Sequence, residues 1–391
     1  MPMFELMDSG AQDAVIKVLG VGGGGGNAVQ HMVRSGIDSV EFICTNTDAQ
    51  ALGRVEGAKS LQIGSNITKG LGAGATPDIG QQAALEDREL IQEAIEGSDM
   101  LFVTAGMGGG TGTGAAPVVA QVAREMGILV VGVVTKPFGF EGPARMKIAL
   151  QGIKELSGHV DSLITIPNDK LMDVYGRDFD LMNAFSGAND VLCGAVQGIT
   201  ELITHPGVIN VDFADVRTVM SKMGMGMMGS GKAIGETRAK EAAEAAIASP
   251  LLEDVNLHGA HGILVNVTGA NMTLGEFQDI GSVINSFASE DATVVMGTAI
   301  DESLEGEIRV TVVATGLGHA SAMQAPVKTP VQQSPATIKV VKPEPEVDIE
   351  EPAPVVPSVT PARQAADAVT ADGGYDEKLL DIPAFLRRQA D

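Results

Sequence analysis

Two glycine-rich stretches constrain this chain more than any other feature. "GVGGGGGN" (20–27) and "GMGGGTGTG" (106–114) each follow an apolar run and lead into a helical pattern. Glycine loses more conformational freedom on ordering than other residues, so clusters this dense need a structural or chemical reason. Strand, glycine loop, helix is also the order in which backbone N–H groups and a helix N-terminus form an anion cradle.

The pattern around the loops is regular. Over 13–178, "AVIKVLGVG", "VEFICTN", "MLFVTAG", "ILVVGVVTKP" and "SLITIPN" read as strands. Between them, "GNAVQHMVRSG", "DIGQQAALEDRELIQEAIEG", a segment from Ala115 and "EGPARMKIALQGIKELSG" read as helices. Near-continuous apolar strands separated by helices predict an α/β fold with a parallel sheet covered on both faces. Ligands in such folds sit beyond the carboxyl ends of the strands, where both glycine loops fall. A long helix over 179–204 leads into an α+β pattern over 205–318, expected to form a second, smaller domain. Its helices are "ETRAKEAAEAAI" and "LGEFQDIGSVINSFA", and its strands "GILVNVTGA", "TVVMGTAI" and "IRVTVVATGLG".

The flanks differ. Residues 1–12 are expected to be a flexible segment. The stretch 319–374 holds half of the chain's 18 prolines and little apolar periodicity, and is expected to be disordered. Residues 375–391 regain Leu, Ile and Phe beside two arginines, the profile of a binding peptide on a tether.

Composition bounds the partners. With no Trp and two Tyr among 391 residues, the core must be aliphatic. A net charge of −24 repels phosphate backbones and anionic headgroups, which argues against direct binding of nucleic acid or a membrane surface. Cys44 and Cys193 are too few and too far apart for a disulfide framework or a metal site. No secretory pattern opens the chain, and no apolar run approaches the ~20 residues of a spanning helix. The expectation is a soluble cytosolic protein.

Taken alone, the first loop admits two ligands. Gly20, Gly22 and Gly25 satisfy the dinucleotide spacing and Asp48 lies near the ribose-binding distance, which would suit an NAD-dependent oxidoreductase. The second loop favours a ligand with several phosphates gripped from two sides, with Thr111 and Thr113 as added hydroxyl donors. "TGAAP" (113–117) is nonetheless also ordinary helix-start chemistry. "GMMGSGK" (226–232) imitates a phosphate loop, but Ala233 stands where a magnesium-binding hydroxyl is needed, so it reads as flexible methionine-rich core. In "NVDFAD", Asn210, Asp212 and Asp215 fit both simple N-capping and a carboxylate pair projecting to one side. Phe185, Asn189 and Asp190 open the long helix. Asp190 could accept the paired N–H donors of guanine, or be a solvated carboxylate.

"GGGTGTG" (108–114), "VGGGGGNAV", "NTDAQAL", "TKGLGAGA", "PNDKL", "NVDFADVRTVM" and the tail "LDIPAFLRRQAD" together resemble the tubulin/FtsZ family over nearly the whole chain. The resemblance implies a Rossmann-like tubulin-type GTPase domain, a central helix and an α+β C-terminal domain. It implies a GTPase that polymerises head to tail into the bacterial division ring. A GTP-binding scaffold without turnover is the other reading of the same fold, against which Asp212 and Asp215 argue. By the resemblance, Gly23, Gly24, Gly25, Gly26 and Asn27, with Gly108, Gly109, Gly110, Thr111, Gly112 and Thr113, hold the phosphates. Ala73 and Gly74 lie near the γ-phosphate, Glu141 and Arg145 contact the ribose side, and Asn168, Phe185 and Asp190 recognise and stack guanine. Asn210, Asp212 and Asp215 form the loop that completes a neighbouring subunit's site. The implied cofactors are GTP or GDP, Mg2+ on the phosphates and K+. The implied partners are the chain itself, FtsA and ZipA tethers reached through 380–391, and Min-system and nucleoid-occlusion inhibitors at midcell beneath the inner membrane. Thr76, Ser186, Gly187 and His205 depart from the family pattern without removing any of these residues.

Overall fold

The computed structural model describes residues 14–317, apart from 177–179, 206, 222–223 and 253–258. The expected N-terminal segment, the proline-rich stretch and the terminal peptide lie outside the described residues.

Six strands make the parallel half of the sheet: β1 (Ile16–Val21), β2 (Val40–Asn46), β3 (Lys59–Gln62), β4 (Met100–Gly106), β5 (Leu129–Lys136) and β6 (Ser162–Pro167). Four more follow: β7 (Met225–Ile234), β8 (Gly262–Gly269), β9 (Thr293–Ile300) and β10 (Glu307–Leu317). The strand order is β3-β2-β1-β4-β5-β6-β7-β10-β8-β9. β7, β10 and β8 pair antiparallel, while β8 and β9 are parallel.

The central strands are apolar on both faces because both faces are covered. β1 is buried at every position. Val18, Phe102 and Val131 enter one apolar cluster, Leu19, Leu101 and Val130 another. Helices supply the cover: α1 (Gly22–Arg34), α2 (Ala49–Leu52), α3 (Ser65–Thr68), α4 (Pro77–Glu86), α5 (Arg88–Ile95), α6 (Thr111–Glu125), α7 (Pro143–Ser157) and α8 (Leu171–Tyr175). After α9 (Leu181–Thr204) come α10 (Phe213–Met220), α11 (Arg238–Ile247) and α12 (Leu274–Phe287). At 24 residues, α9 is about 36 Å long, and Val196, Ile199 and Leu202 bury its apolar stripe.

Three departures from expectation have physical causes. The amphipathic stretch after Pro77 splits into α4 and α5 at Asp87, which has φ −106° and ψ 31°. The Asp87 carboxylate accepts the Gly64 N–H at 2.6 Å, holding the break in place. α6 starts at Thr111 instead of Ala115, so the second glycine loop ends inside a helix turn. Finally, "GMMGSGK" is neither a phosphate loop nor loose core but part of strand β7. A Cβ on Gly229 or Gly231 would strike the carbonyl of Ala246 or Ala242, so these glycines let α11 lie directly on the strand. The sheet continues from β6 to β7 through only two residue pairs, Leu163–Met225 and Ile164–Gly226.

Candidate nucleotide-binding site

A cavity of about 330 Å³ opens at the carboxyl ends of β1, β2, β4, β5 and β6. Each strand delivers its last residues to the rim: Asn46 from β2, Gly106 from β4, Thr135 from β5, and Asn168 just beyond β6.

The first glycine loop contributes Gly23, Gly24 and Asn27 to the lining. Gly22 turns the chain at φ +71°, a conformation that favours glycine. Gly25 does something else. A Cβ there would strike the Thr104 carbonyl and come within 2.9 Å of the Gly20 carbonyl carbon, so it is bare to let α1 lie against β1 and β4. Gly26 faces open space and does not line the cavity. Neither is among the cavity-lining residues.

In the second loop, Gly109, Gly110, Thr111 and Gly112 border the cavity. Gly108 and Thr113 do not. The buried Thr113 hydroxyl accepts the Gly108 N–H at 2.9 Å, so it braces the loop from behind. Gly110 N–H donates to the Gly74 carbonyl at 2.9 Å. A Cβ at Gly110 would lie 2.7 Å from that oxygen and 2.8 Å from the Ala73 carbonyl. The Gly72–Ala75 loop, including the expected Ala73 and Gly74, is thereby seated on the start of α6.

The opposite wall is amide and aromatic. Phe185 meets Phe138 edge to face, with ring centroids 5.3 Å apart, which fixes its ring plane. Asn168 is 5% exposed and its Oδ1 has no hydrogen-bond partner among the described residues, an orphaned acceptor in the cavity wall. Such groups are uncommon in folded proteins and fit a ligand that brings a donor. Glu141 accepts the Phe138 N–H at 2.9 Å and contacts Arg145 at 3.0 Å. Burial pushes the Glu141 carboxyl above its ordinary range, against the Phe138 hydrogen bond and the Arg145 charge. Burial likewise draws the Arg145 guanidinium down.

Asp190 lies outside the lining. It is half-exposed and pairs with His31 of α1 at 2.7 Å, while its neighbour Asn189 is buried in the cavity wall. One residue along a helix turns the side chain by 100°, which the linear sequence left undecided. Asn46, Gly72, Ala75, Gly106, Met107, Thr135, Pro137, Ala188 and Leu192 also line the cavity and were missed. Position at strand ends could have found Asn46, Gly106 and Thr135.

Asn210, Asp212 and Asp215 are elsewhere. The first turns of α9 line the cavity, and these residues follow its other end, roughly 28 Å along the helix axis from Phe185. Asp212 caps α10 by accepting the Asp215 N–H at 2.8 Å, and Asn210 accepts the Gly207 N–H at 2.8 Å. Asp212 and Asp215 are exposed, and beside them Val208 is 80% exposed.

Two backbone cradles and an aromatic–amide pocket at the strand ends of a parallel sheet define an α/β protein that binds a nucleoside phosphate. Residues 15–176 match the GTPase domain of the Tubulin/FtsZ family, and residues 224–318 the C-terminal domain of the FtsZ family. The chain is 57% identical to the cell division protein FtsZ of Pseudomonas aeruginosa, covering all of both chains. It is 56% identical to that of Coxiella burnetii, covering 99% of each. A solved FtsZ dimer from M. jannaschii superposes with a TM-score of 0.74 at 47% identity, over 78% of this chain and 88% of that one. The chain belongs to the tubulin/FtsZ family, in its FtsZ branch, and is a GTPase that binds GTP and GDP. The nicotinamide reading of the first loop is set aside.

Proposed function

We propose that this chain polymerises head to tail with GTP in the cavity, that each contact completes the hydrolytic site, and that the filaments build the division ring of a bacterial cell. The observation that carries the proposal is the separation of cavity and carboxylates. The cavity's own carboxylates are Asp48, which caps α2 through Gln50 and Ala51, and Glu141, whose charge is paired with Arg145. Asp212 and Asp215 are exposed and follow the far end of α9, whose span from Phe185 to Thr204 is roughly 28 Å, so they serve a cavity only on another copy. A contact between two different faces is heterologous, and where its rotation does not close a ring it extends into an open filament.

Within the cavity, the glycine loops and Thr111 take the phosphates, Asn168 and Phe185 the guanine, and Glu141 with Arg145 the ribose side. Asp190 would share its carboxylate between His31 and the base. Mg2+ would be carried by the phosphate oxygens, where it spreads the charge that builds during phosphoryl transfer, with K+ as a second candidate cation. Among the described residues, no group of three or more His, Cys, Asp or Glu is placed to hold a metal by itself. Carboxylates from the neighbouring copy would orient the attacking water. The terminal residues 380–391 would dock FtsA- and ZipA-type tethers, with Min-system and nucleoid-occlusion inhibitors as regulators at midcell. Many tails along one filament would make weak contacts firm.

Asp212→Ala is expected to keep GTP affinity, to lose steady phosphate release and to lengthen filament life, read by light scattering beside phosphate release. Undiminished turnover would sink the proposal that the carboxylates act across the contact.

A further inference from the structure

Thr47 lies between β2 and α2, is 0% exposed and has no part in the roles described above. Its hydroxyl is 2.6 Å from Thr111 Oγ1 in the first turn of α6. Its carbonyl accepts the Gly72 N–H at 3.2 Å and the Thr68 hydroxyl at 3.2 Å. One buried residue therefore touches both the second phosphate cradle and the loop that carries Ala73 and Gly74.

Burial decides which hydroxyl donates. Each hydroxyl has one proton, and a buried proton without an acceptor is strongly disfavoured. Among the described residues, Thr47 Oγ1 is hydrogen-bonded to Thr111 Oγ1 and to nothing else. Thr111 borders the cavity, so its proton has a second outlet. The satisfied arrangement has Thr47 donating and Thr111 accepting, which turns the Thr111 proton toward the cavity. The reverse arrangement would strand the Thr47 proton and present Thr111 lone pairs to an anion.

We propose that Thr47 is a positioning residue: it fixes Thr111 as a hydrogen-bond donor to a phosphate oxygen of the nucleotide and ties that donor to the Gly72–Gly74 loop. The inference rests on the reading of Thr111 as a phosphate contact, and the test separates the two.

Titration calorimetry with GTP and with GDP is run on Thr47→Val, Thr47→Ser, Thr111→Val and the Thr47→Val/Thr111→Val pair, with circular dichroism to verify folding. Thr111→Val is expected to weaken binding about tenfold or more, as for loss of a bond to a charged group. Thr47→Val is expected to weaken it about fivefold, and Thr47→Ser, which keeps the hydroxyl, to restore it to within about twofold. The pair is expected to bind no more weakly than Thr111→Val alone, because Thr47 acts through that hydroxyl. A purely structural role for Thr47 would instead multiply the two losses, and that outcome overturns the inference. Parent-like binding by Thr47→Val beside a weakened Thr111→Val overturns the inference alone. Parent-like binding by Thr111→Val overturns the phosphate reading and the inference with it. Should Thr47→Val fail to fold, Thr47→Ala carries the same comparison.

Discussion

Cys44 lies in β2 with its thiol packed among aliphatic side chains, and burial pushes its pKa up to about 12. Cys193 in α9 is pushed upward as well, mainly by burial, although a Ser35 hydrogen bond opposes the shift. The thiolate is the reactive form, so both residues are held inert in the folded chain. A thiol reagent at about pH 8 is expected to leave the native protein unmodified and to titrate both cysteines once denaturant is added. Fast labelling of the native protein would contradict the burial. At this scale, residue type was legible and purpose was not. Gly110 and Gly25 are both bare, one to seat the Ala73–Gly74 carbonyls beside the cavity and the other to pack helix on strand. Thr113 accepts the Gly108 N–H and Asp190 pairs with His31, and neither borders the cavity. Only a residue's neighbours distinguish these cases.

At the scale of elements, alternating apolar runs placed the strands of the parallel half well, because burial on both faces writes an unbroken apolar signal. β7 was missed because its glycines at 229 and 231 answer to α11, an element of its own half of the chain that periodicity along β7 does not reveal. α12 shows how charge finishes an element. Thr273 and Glu276 form a capping box, and Arg238 of α11 contacts Glu276 at 2.6 Å. The Arg238 hydrogen bond, with those from Thr273, draws the Glu276 carboxyl from 4.5 down to about 2. A carboxyl whose pKa is lower folded than unfolded stabilises the fold above the unfolded value, and that contribution is lost as pH falls through the folded one. Stability from this pair is therefore expected to be complete above pH 4.5 and to drain away toward pH 2. Glu276→Gln should lower the melting temperature at neutral pH and flatten its fall across that window, as read by thermal melts from pH 7 to 2. A fall as steep as the parent's would show that the pair contributes nothing to acid sensitivity.

For the whole molecule, α9 is the distance-setting part. Its first turns wall the cavity and its far end leads to the carboxylate loop, so one helix keeps cavity and loop apart on a single chain. Mixing is the natural test. Gly110→Ala forces a Cβ against the Gly74 and Ala73 carbonyls and should disable nucleotide binding while leaving Asp212 intact. Asp212→Ala keeps the cavity and loses the carboxylate. Each alone is expected to release little phosphate, and an equimolar mixture to recover a substantial fraction of the parent rate. A mixture no faster than its parts would mean that the carboxylates do not act on a neighbour.

The sequence alone determined the class of the protein. Apolar periodicity demanded a covered parallel sheet, two glycine clusters at strand ends demanded an anion cradle, and the family resemblance named the ligand. Those signals are local, carried by residues a few positions apart. Tertiary structure decided which glycines border the cavity and which pack helix on strand, and that Asn189 rather than Asp190 enters the cavity wall. It also placed the buried Thr47 hydroxyl against the one at Thr111. Those outcomes depend on contacts between residues distant in the chain, and on distances that a linear sequence does not carry.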